Sequence, residues 1–331
     1  MKALILYGPG DLRLEDVKEP ELPSGWALVK TEAVGICGTD KAFYKGTYPL
    51  FKKPLIPGHE VAGRVVSDGP LKGFRVVSEI NFSCGKCEYC RRGLYTHCPY
   101  KKTLGIDFDG GFAEYFVAPL EALHRIDGLL DPVTATEVEP LAAVLNAFTQ
   151  APPKPTDNVA VIGTGNIALL TVHVLRWLGL EPVVVARSGS SKAHYFAEQG
   201  FRVLVDDEVF SYIREKTPEG LGFDVVVEAS GSPEALDKAI SLTRPRGVIH
   251  LKSTPGSQFK VGMTLAVVKE LRIIGTRCGT FREFRRAIEL LSKGVVKPAI
   301  TKIFDGLDNA VKAFEASLRP EEFKVVVRNT S

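Results

Sequence analysis

The stretch Asn158–Gly179, NVAVIGTGNIALLTVHVLRWLG, joins a short apolar run to a longer amphipathic one through a Gly-rich turn. The first part, NVAVIG, reads as a buried strand and NIALLTVHVLRWLG as a helix. Between them GTGNIA, Gly163 to Ala168, has the GxGxxG/A spacing in the strand–turn–helix setting that gives the pattern its meaning. Gly163 permits the tight turn, Gly165 lets a pyrophosphate approach the backbone, and Ala168 is small enough for close helix–sheet contact. Asn166 and Ile167 open the helix, whose unpaired N–H groups and dipole favour an anion. Taken alone, the pattern is equally well a Gly-rich turn with no ligand.

The flanking sequence separates the two readings. PVVVAR, RVLVDD, FDVVVEAS, GVIHLKS and LRIIGTR read as strands, and SKAHYFAEQG, VFSYIREKT and PEALDKAISLT as helices. Buried strands alternating with amphipathic helices make a parallel sheet covered on both faces. Upstream the rhythm differs. KALILYG, WALVKTEAVGI, EVAGRVVSDG, FRVVSEI and GFAEYFVAP are short strand-like runs broken by Gly and Pro, the pattern of a mainly β domain. One or two helices follow from residue 132, and PPKPTD (152–157) punctuates the chain. Past residue 275, a helix in FREFRRAIELLSKG and a strand in FKVVVRN return to the first domain. The expected domains are 1–140 with 275–331, and 141–274.

In this kind of sheet the second strand ends beside the adenosine ribose, where an acidic residue selects NAD. Here PVVVAR ends on Arg187, followed by Ser188, with Lys192 close behind. A guanidinium pairs with a 2′-phosphate that a carboxylate would repel. The expectation is NADP in preference to NAD. The alternative is a solvated arginine on a loop.

The bulk numbers exclude other classes. A chain of 331 residues favours two domains, and 42 basic against 39 acidic residues with no long basic run give no case for nucleic acid. MKALILYG lacks the features of a signal peptide, and no apolar run suggests a membrane span, so a cytoplasmic location is expected. Few Gln, Asn and Met with 24% charged residues lean towards a thermophile.

Four of the six cysteines fall in CGKCEYCRRGLYTHC, at Cys84, Cys87, Cys90 and Cys98. Reduced cytosolic thiols argue against disulfides. Four thiolates suit zinc or an iron–sulfur cluster. Elsewhere GICGTD carries Cys37 and PGHE carries His59 and Glu60, all residue types that ligate zinc. Spacing alone does not join those three.

GICGTD, PGHEVAGRV, CGKCEYCRRGLYTHC, EPLA, VIGTGNIA and VVVEASGSPEAL occur in one order over nearly the whole chain. In them the sequence resembles the zinc-dependent medium-chain alcohol dehydrogenase superfamily, nearest its sugar and polyol branch. The resemblance implies an α/β protein: a GroES-like, mainly β catalytic domain and a Rossmann doubly wound coenzyme domain. It implies a structural zinc on Cys84, Cys87, Cys90 and Cys98, with His97 a bystander. It implies a catalytic zinc on Cys37, His59 and Glu60, with Glu139 of EPLA as a further ligand or a carboxylate holding the zinc water. The plain reading of Glu139 is an exposed carboxylate at a helix start.

The implied reaction is reversible hydride transfer between a zinc-polarised alcohol and NAD(P). Thr39 matches the family hydroxyl that passes the alcohol proton onward, or is a turn threonine. Where many family members end that relay at histidine, this chain has Ala42. Ribose hydroxyls, water or Asp40 would then serve. Ser230 and Gly231 match the turn beneath the nicotinamide, and LKST (251–254) and GTRCG (275–279) the segments holding its carboxamide. Phe43, Tyr44, Tyr48 and Phe51 either line the substrate pocket or pack the loop. The expected substrate is a sugar, polyol or secondary alcohol, and the expected assembly a homodimer or homotetramer. The competing readings are a zinc-free quinone or enone reductase of the same fold, and a non-catalytic dinucleotide-binding protein.

Overall fold

The computed structural model describes residues 1–205, 207–256 and 258–329. The chain divides into two compact units. Unit 1 comprises 1–142, 278–294 and 299–331, and unit 2 comprises 143–277 and 295–298. The crossovers fall two or three residues beyond positions 140 and 275, and 295–298 groups with unit 2 rather than with the C-terminal segment.

Unit 2 holds a six-stranded sheet, parallel throughout. Its order is Arg202–Val205, Val183–Ala186, Val159–Ile162, Phe223–Glu228, Thr243–Leu251, Arg272–Gly275. The strand Val159–Ile162 sits where the winding reverses, between Val183–Ala186 and Phe223–Glu228. A crevice opens outside the carboxyl end of such a strand, the site at which ligands bind in open α/β sheets. Every residue of Val159–Ile162 and Val183–Ala186 is buried, as the unbroken apolar runs require. The run RVLVDD forms a strand only over Arg202–Val205; Asp206 lies outside the described residues.

Unit 1 is built on a seven-stranded sheet ordered Ile300–Asp305, Lys324–Arg328, Trp26–Gly35, Glu60–Val65, Arg75–Ser78, Leu123–Arg125, with Tyr115–Pro119 also pairing to Trp26–Gly35. The expected final strand is Lys324–Arg328. Its partner Ile300–Asp305, which alternates half-buried with exposed positions, and the helix Ala310–Ser317, which buries Ala310, Ala313, Phe314 and Ser317, lie beyond the expected elements. Register matters for the site. Val326 lies opposite Gly35, and Gly35 opposite Glu60, so the two chain ends meet at one row of the sheet. The core of this unit takes in Phe43, Phe112 and Phe314, with Phe112 and Phe314 rings 5.1 Å apart. Phe43 is fully buried, and Tyr44 and Tyr48 pack against the same core, so these three are packing aromatics; Phe51 is 59% exposed.

Candidate active site

Cys37 stands between the strand Trp26–Gly35 and the helix Gly38–Lys45, as N-cap of that helix. Asp40 completes a capping box by accepting the Cys37 N–H at 2.9 Å. The reciprocal cap fixes where the thiol points. His59 and Glu60 lie at the start of Glu60–Val65. A Cβ at Gly35 would lie 2.7 Å from Glu60 Oε2, so a side chain there would displace the carboxylate. One ligand atom each from Cys37, His59 and Glu60 lie within 4.8 Å of one another. His59 and Glu60 are buried and Cys37 half-buried. Thr39 Oγ1 is 3.8 Å from Cys37 Sγ.

His59 Nδ1 faces Asp40 Oδ1 at 3.8 Å, and neither atom has a hydrogen-bond partner among the described residues. Burial opposes a charge on His59, but Cys37 and Asp40 hold its pKa well above the ordinary value. Burial pushes the Asp40 carboxyl up. Sulfur, nitrogen and oxygen donors in an anionic pocket are the donor set of a zinc site, and the orphaned Asp40–His59 pair is the outer support that such a histidine needs. Asp40 is 0% exposed, which removes it as an exit for a proton to solvent.

Glu139 is not brought into this ligand group. It sits in the first turn of Val138–Gln150, 8% exposed, and adds its charge to those raising the His59 pKa. It is thus neither an exposed helix-start carboxylate nor one of the three clustered donors.

Two residues of the cluster escaped the sequence reading. Lys324 Nζ lies 2.5 Å from Glu60 Oε2 and 3.8 Å from Glu137 Oε1, and the three side chains are 3%, 2% and 0% exposed. Burial opposes the ammonium charge, but Glu137 and Glu60 hold it on, above the ordinary lysine range. The available signal was a lysine inside FKVVV, a run otherwise suited to a buried strand.

The four-cysteine segment folds as a lobe around the short helix Glu88–Arg91 and the turn Tyr95–His97. Cys84, Cys87, Cys90 and Cys98 bring their sulfurs within 4.8 Å of one another, at 3.5 Å for Cys87–Cys90 and 3.8 Å for Cys87–Cys98. None is bonded to another. Backbone N–H groups of Lys86 and Cys87 pull the Cys84 thiol down to about 6. Four converging sulfurs, one already biased to thiolate, fit a tetrahedral zinc. His97 is not in the group. Tyr95 of the same lobe donates to Glu79 Oε2 at 2.7 Å and accepts the Phe281 N–H at 2.5 Å.

In unit 2, Gly163 follows Val159–Ile162 with φ +116°, and a Cβ there would lie 2.8 Å from Ala229 O. Only glycine takes this turn. Gly165 caps Asn166–Trp177, whose second and third residues are Ile167 and the fully buried Ala168. Arg187 follows Val183–Ala186 directly and is exposed; Ser188 is also exposed and Lys192 precedes Ala193–Glu198. Thr164 Oγ1 and Ser190 Oγ, 2.9 Å apart, tie the Gly-rich turn to this loop. Ser230 donates its N–H and hydroxyl to Glu228 Oε1, at 2.8 and 2.7 Å, and the Gly231 N–H donates to Ser253 at 2.8 Å. Glu228, 1% exposed, is an anchor for this turn that sequence alone did not single out.

A doubly wound sheet with a Gly-rich turn after its central strand, in one chain with a β unit carrying a Cys–His–Glu cluster and a four-thiol lobe, is the combination of a metal-assisted, dinucleotide-dependent dehydrogenase. Residues 23–128 match the alcohol dehydrogenase GroES-like domain and residues 167–293 the zinc-binding dehydrogenase domain. A sorbitol dehydrogenase of Halalkalibacterium halodurans is 31% identical, covering 99% of both chains. An L-threonine 3-dehydrogenase of Pyrococcus horikoshii is 33% identical over 98% of each. A putative zinc-binding dehydrogenase of Sinorhizobium meliloti 1021, solved with NADP, superposes with a TM-score of 0.86 at 31% identity, covering 99% of this chain and 98% of that one. The chain belongs to the zinc-type medium-chain alcohol dehydrogenase family, an oxidoreductase family using NAD(P), near its sugar and polyol members. No helix among the described residues is long and apolar enough to cross a membrane.

Proposed function

We propose that this protein oxidises a sugar, polyol or secondary alcohol with NADP in preference to NAD, with unit 1 as catalytic domain and unit 2 as coenzyme domain. The reading rests above all on the convergence of Cys37, His59 and Glu60. Those residues hold a catalytic zinc, and Cys84, Cys87, Cys90 and Cys98 a structural one. When bound, the zinc supplies Lewis acidity at the alcohol oxygen and the nicotinamide accepts the hydride. Cys37 and Glu60 offset the cation's charge, Asp40 orients the His59 ring, and Glu139 adds negative charge beside it. Thr39, half-buried beside Cys37, takes the alcohol proton and passes it to water or a cofactor hydroxyl, since Asp40 is sealed from solvent.

On the coenzyme, Gly163, Gly165, Asn166, Ile167 and Ala168 receive the pyrophosphate. Arg187, Ser188 and Lys192 receive the 2′-phosphate, and Ser230 and Gly231 lie beneath the nicotinamide. Arg187, at the end of its strand and exposed, carries the NADP preference. We place the protein in the cytoplasm of a thermophile, on its free cysteines and sparing use of Gln, Asn and Met. We assign it a homodimeric or homotetrameric state. The strand Arg272–Gly275 is an outer strand of its sheet, and Val267 and Val268 beside it are 72% and 74% exposed.

A panel of sugars, polyols, threonine and simple alcohols, run with NAD and NADP separately alongside zinc analysis, tests the reading. Turnover of a polyhydroxy or secondary alcohol with NADP, at two zinc per chain, is expected from the two ligand clusters. Turnover of quinones or enones alone, with less than two zinc, would put a zinc-free reductase in its place. No turnover with either coenzyme would leave a dinucleotide-binding protein.

A further inference from the structure

Glu60 Oε2 is confined from two sides. Lys324 Nζ lies 2.5 Å from it, and Gly35, across the strand pair, leaves it a berth that any Cβ would fill. Glu137 stands on the far side of the ammonium, with Oε1 3.8 Å away. Fold stability alone does not call for this arrangement. A buried ion pair is commonly matched or bettered by apolar groups of the same shape, and Lys324 is followed in its strand by three buried valines, Val325 to Val327. What the lysine adds is a fixed claim on one carboxylate oxygen at the edge of the Cys37–His59–Glu60 cluster.

We propose that Lys324 is a positioning residue for the metal centre: by holding Oε2 it restricts Glu60 to contact with the cation through Oε1 alone, and so keeps a coordination position open for the substrate oxygen. The proposal rests on the reading that Cys37, His59 and Glu60 hold the metal. Glu137 balances the ammonium and keeps it seated between the two carboxylates. Without Lys324, both oxygens of Glu60 are free to close on the cation and fill the position that a ligand needs.

The test uses the full-length protein with cobalt(II) exchanged for zinc, titrated with azide. Lys324→Met, at equal metal content, is expected to weaken azide binding about tenfold or more and to lower the visible d–d absorption, as added coordination does. Lys324→Arg, which keeps a donor on Glu60, should stay within about threefold of the parent. Adding Glu60→Gln to Lys324→Met should restore azide binding, a rescue that a merely structural lysine would not show. Where Lys324→Met alone fails to fold, Lys324→Met with Glu137→Gln keeps the buried charge balanced and carries the same comparison. Unchanged azide affinity and spectrum at full metal content would overturn the proposal. A parent spectrum with no thiolate-to-cobalt band that Cys37→Ser removes would instead overturn the metal site itself.

Discussion

Replacing Tyr95 with phenylalanine deletes one oxygen atom that joins three parts of unit 1. The hydroxyl donates to Glu79 Oε2 at 2.7 Å and accepts the Phe281 N–H at 2.5 Å. Glu79 is 4% exposed, and its other oxygen is taken by His124 Nε2 at 2.9 Å. The bond to the carboxylate is worth about 1.5–3 kcal/mol and the bond from the amide roughly 0.5–1.5 kcal/mol. Tyr95 is half-buried, so the lower part of each range applies, and the expected loss is about 2–3 kcal/mol. For a unit of this size that lowers Tm by roughly 4–12 °C. The assay is thermal unfolding of the zinc-loaded protein, with hydrogen exchange at the Phe281 amide as the local readout. Burial and the Glu79 charge raise the Tyr95 pKa. Its stabilisation is therefore complete below about pH 10, the unfolded value, and is lost as pH climbs towards the folded one. The gap between parent and variant should narrow above pH 10. A Tm within about 1 °C of the parent at pH 7.5, with unchanged exchange at Phe281, would refute the reasoning.

Other expectations follow from the sites. Arg187→Asp should raise the KM for NADP about tenfold to a hundredfold and leave NAD turnover at or above the parent level, read by steady-state kinetics with each coenzyme. Cys90→Ser should lose the lobe zinc and lower Tm while the remaining zinc stays, whereas Cys37→Ser should abolish turnover with far-UV circular dichroism unchanged. His173 and His250 are held neutral in unit 2 by burial and nearby cations, with pKa values lowered to about 4. Both protonate more readily unfolded, so stability should fall as pH drops from about 6.5 towards about 4, by on the order of 3 kcal/mol per histidine at most. Urea titrations across that range check it, and His250→Gln should flatten the slope.

The legible features were local. GTGNIA was legible because its strand and helix are contiguous with it, and the four cysteines because all of them fall within fifteen residues. Phe43 and Tyr44 were ambiguous, since an aromatic ring after a candidate metal-ligating cysteine suits either a pocket or a core; the ring of Phe314, far along the chain and 6.1 Å from that of Tyr44, and the burial of Phe43 in the same core decide for packing. Glu139 was ambiguous for a similar reason. Helix position predicts its charge environment but not its distance from a cation.

From composition and order of residues alone came the alternation of strand and helix, the Gly-rich turn, the thiol lobe and the donor types at Cys37 and His59. These are encoded by neighbours a few residues apart, where backbone periodicity and ligand spacing act directly. Long-range pairing supplied the rest: Lys324 beside Glu60, 264 residues away, Tyr95 on the helix at Phe281, and Asp40 sealed against His59. Each depends on sheet register and burial, which set the strength of a charge by excluding water and exist only once distant segments have packed.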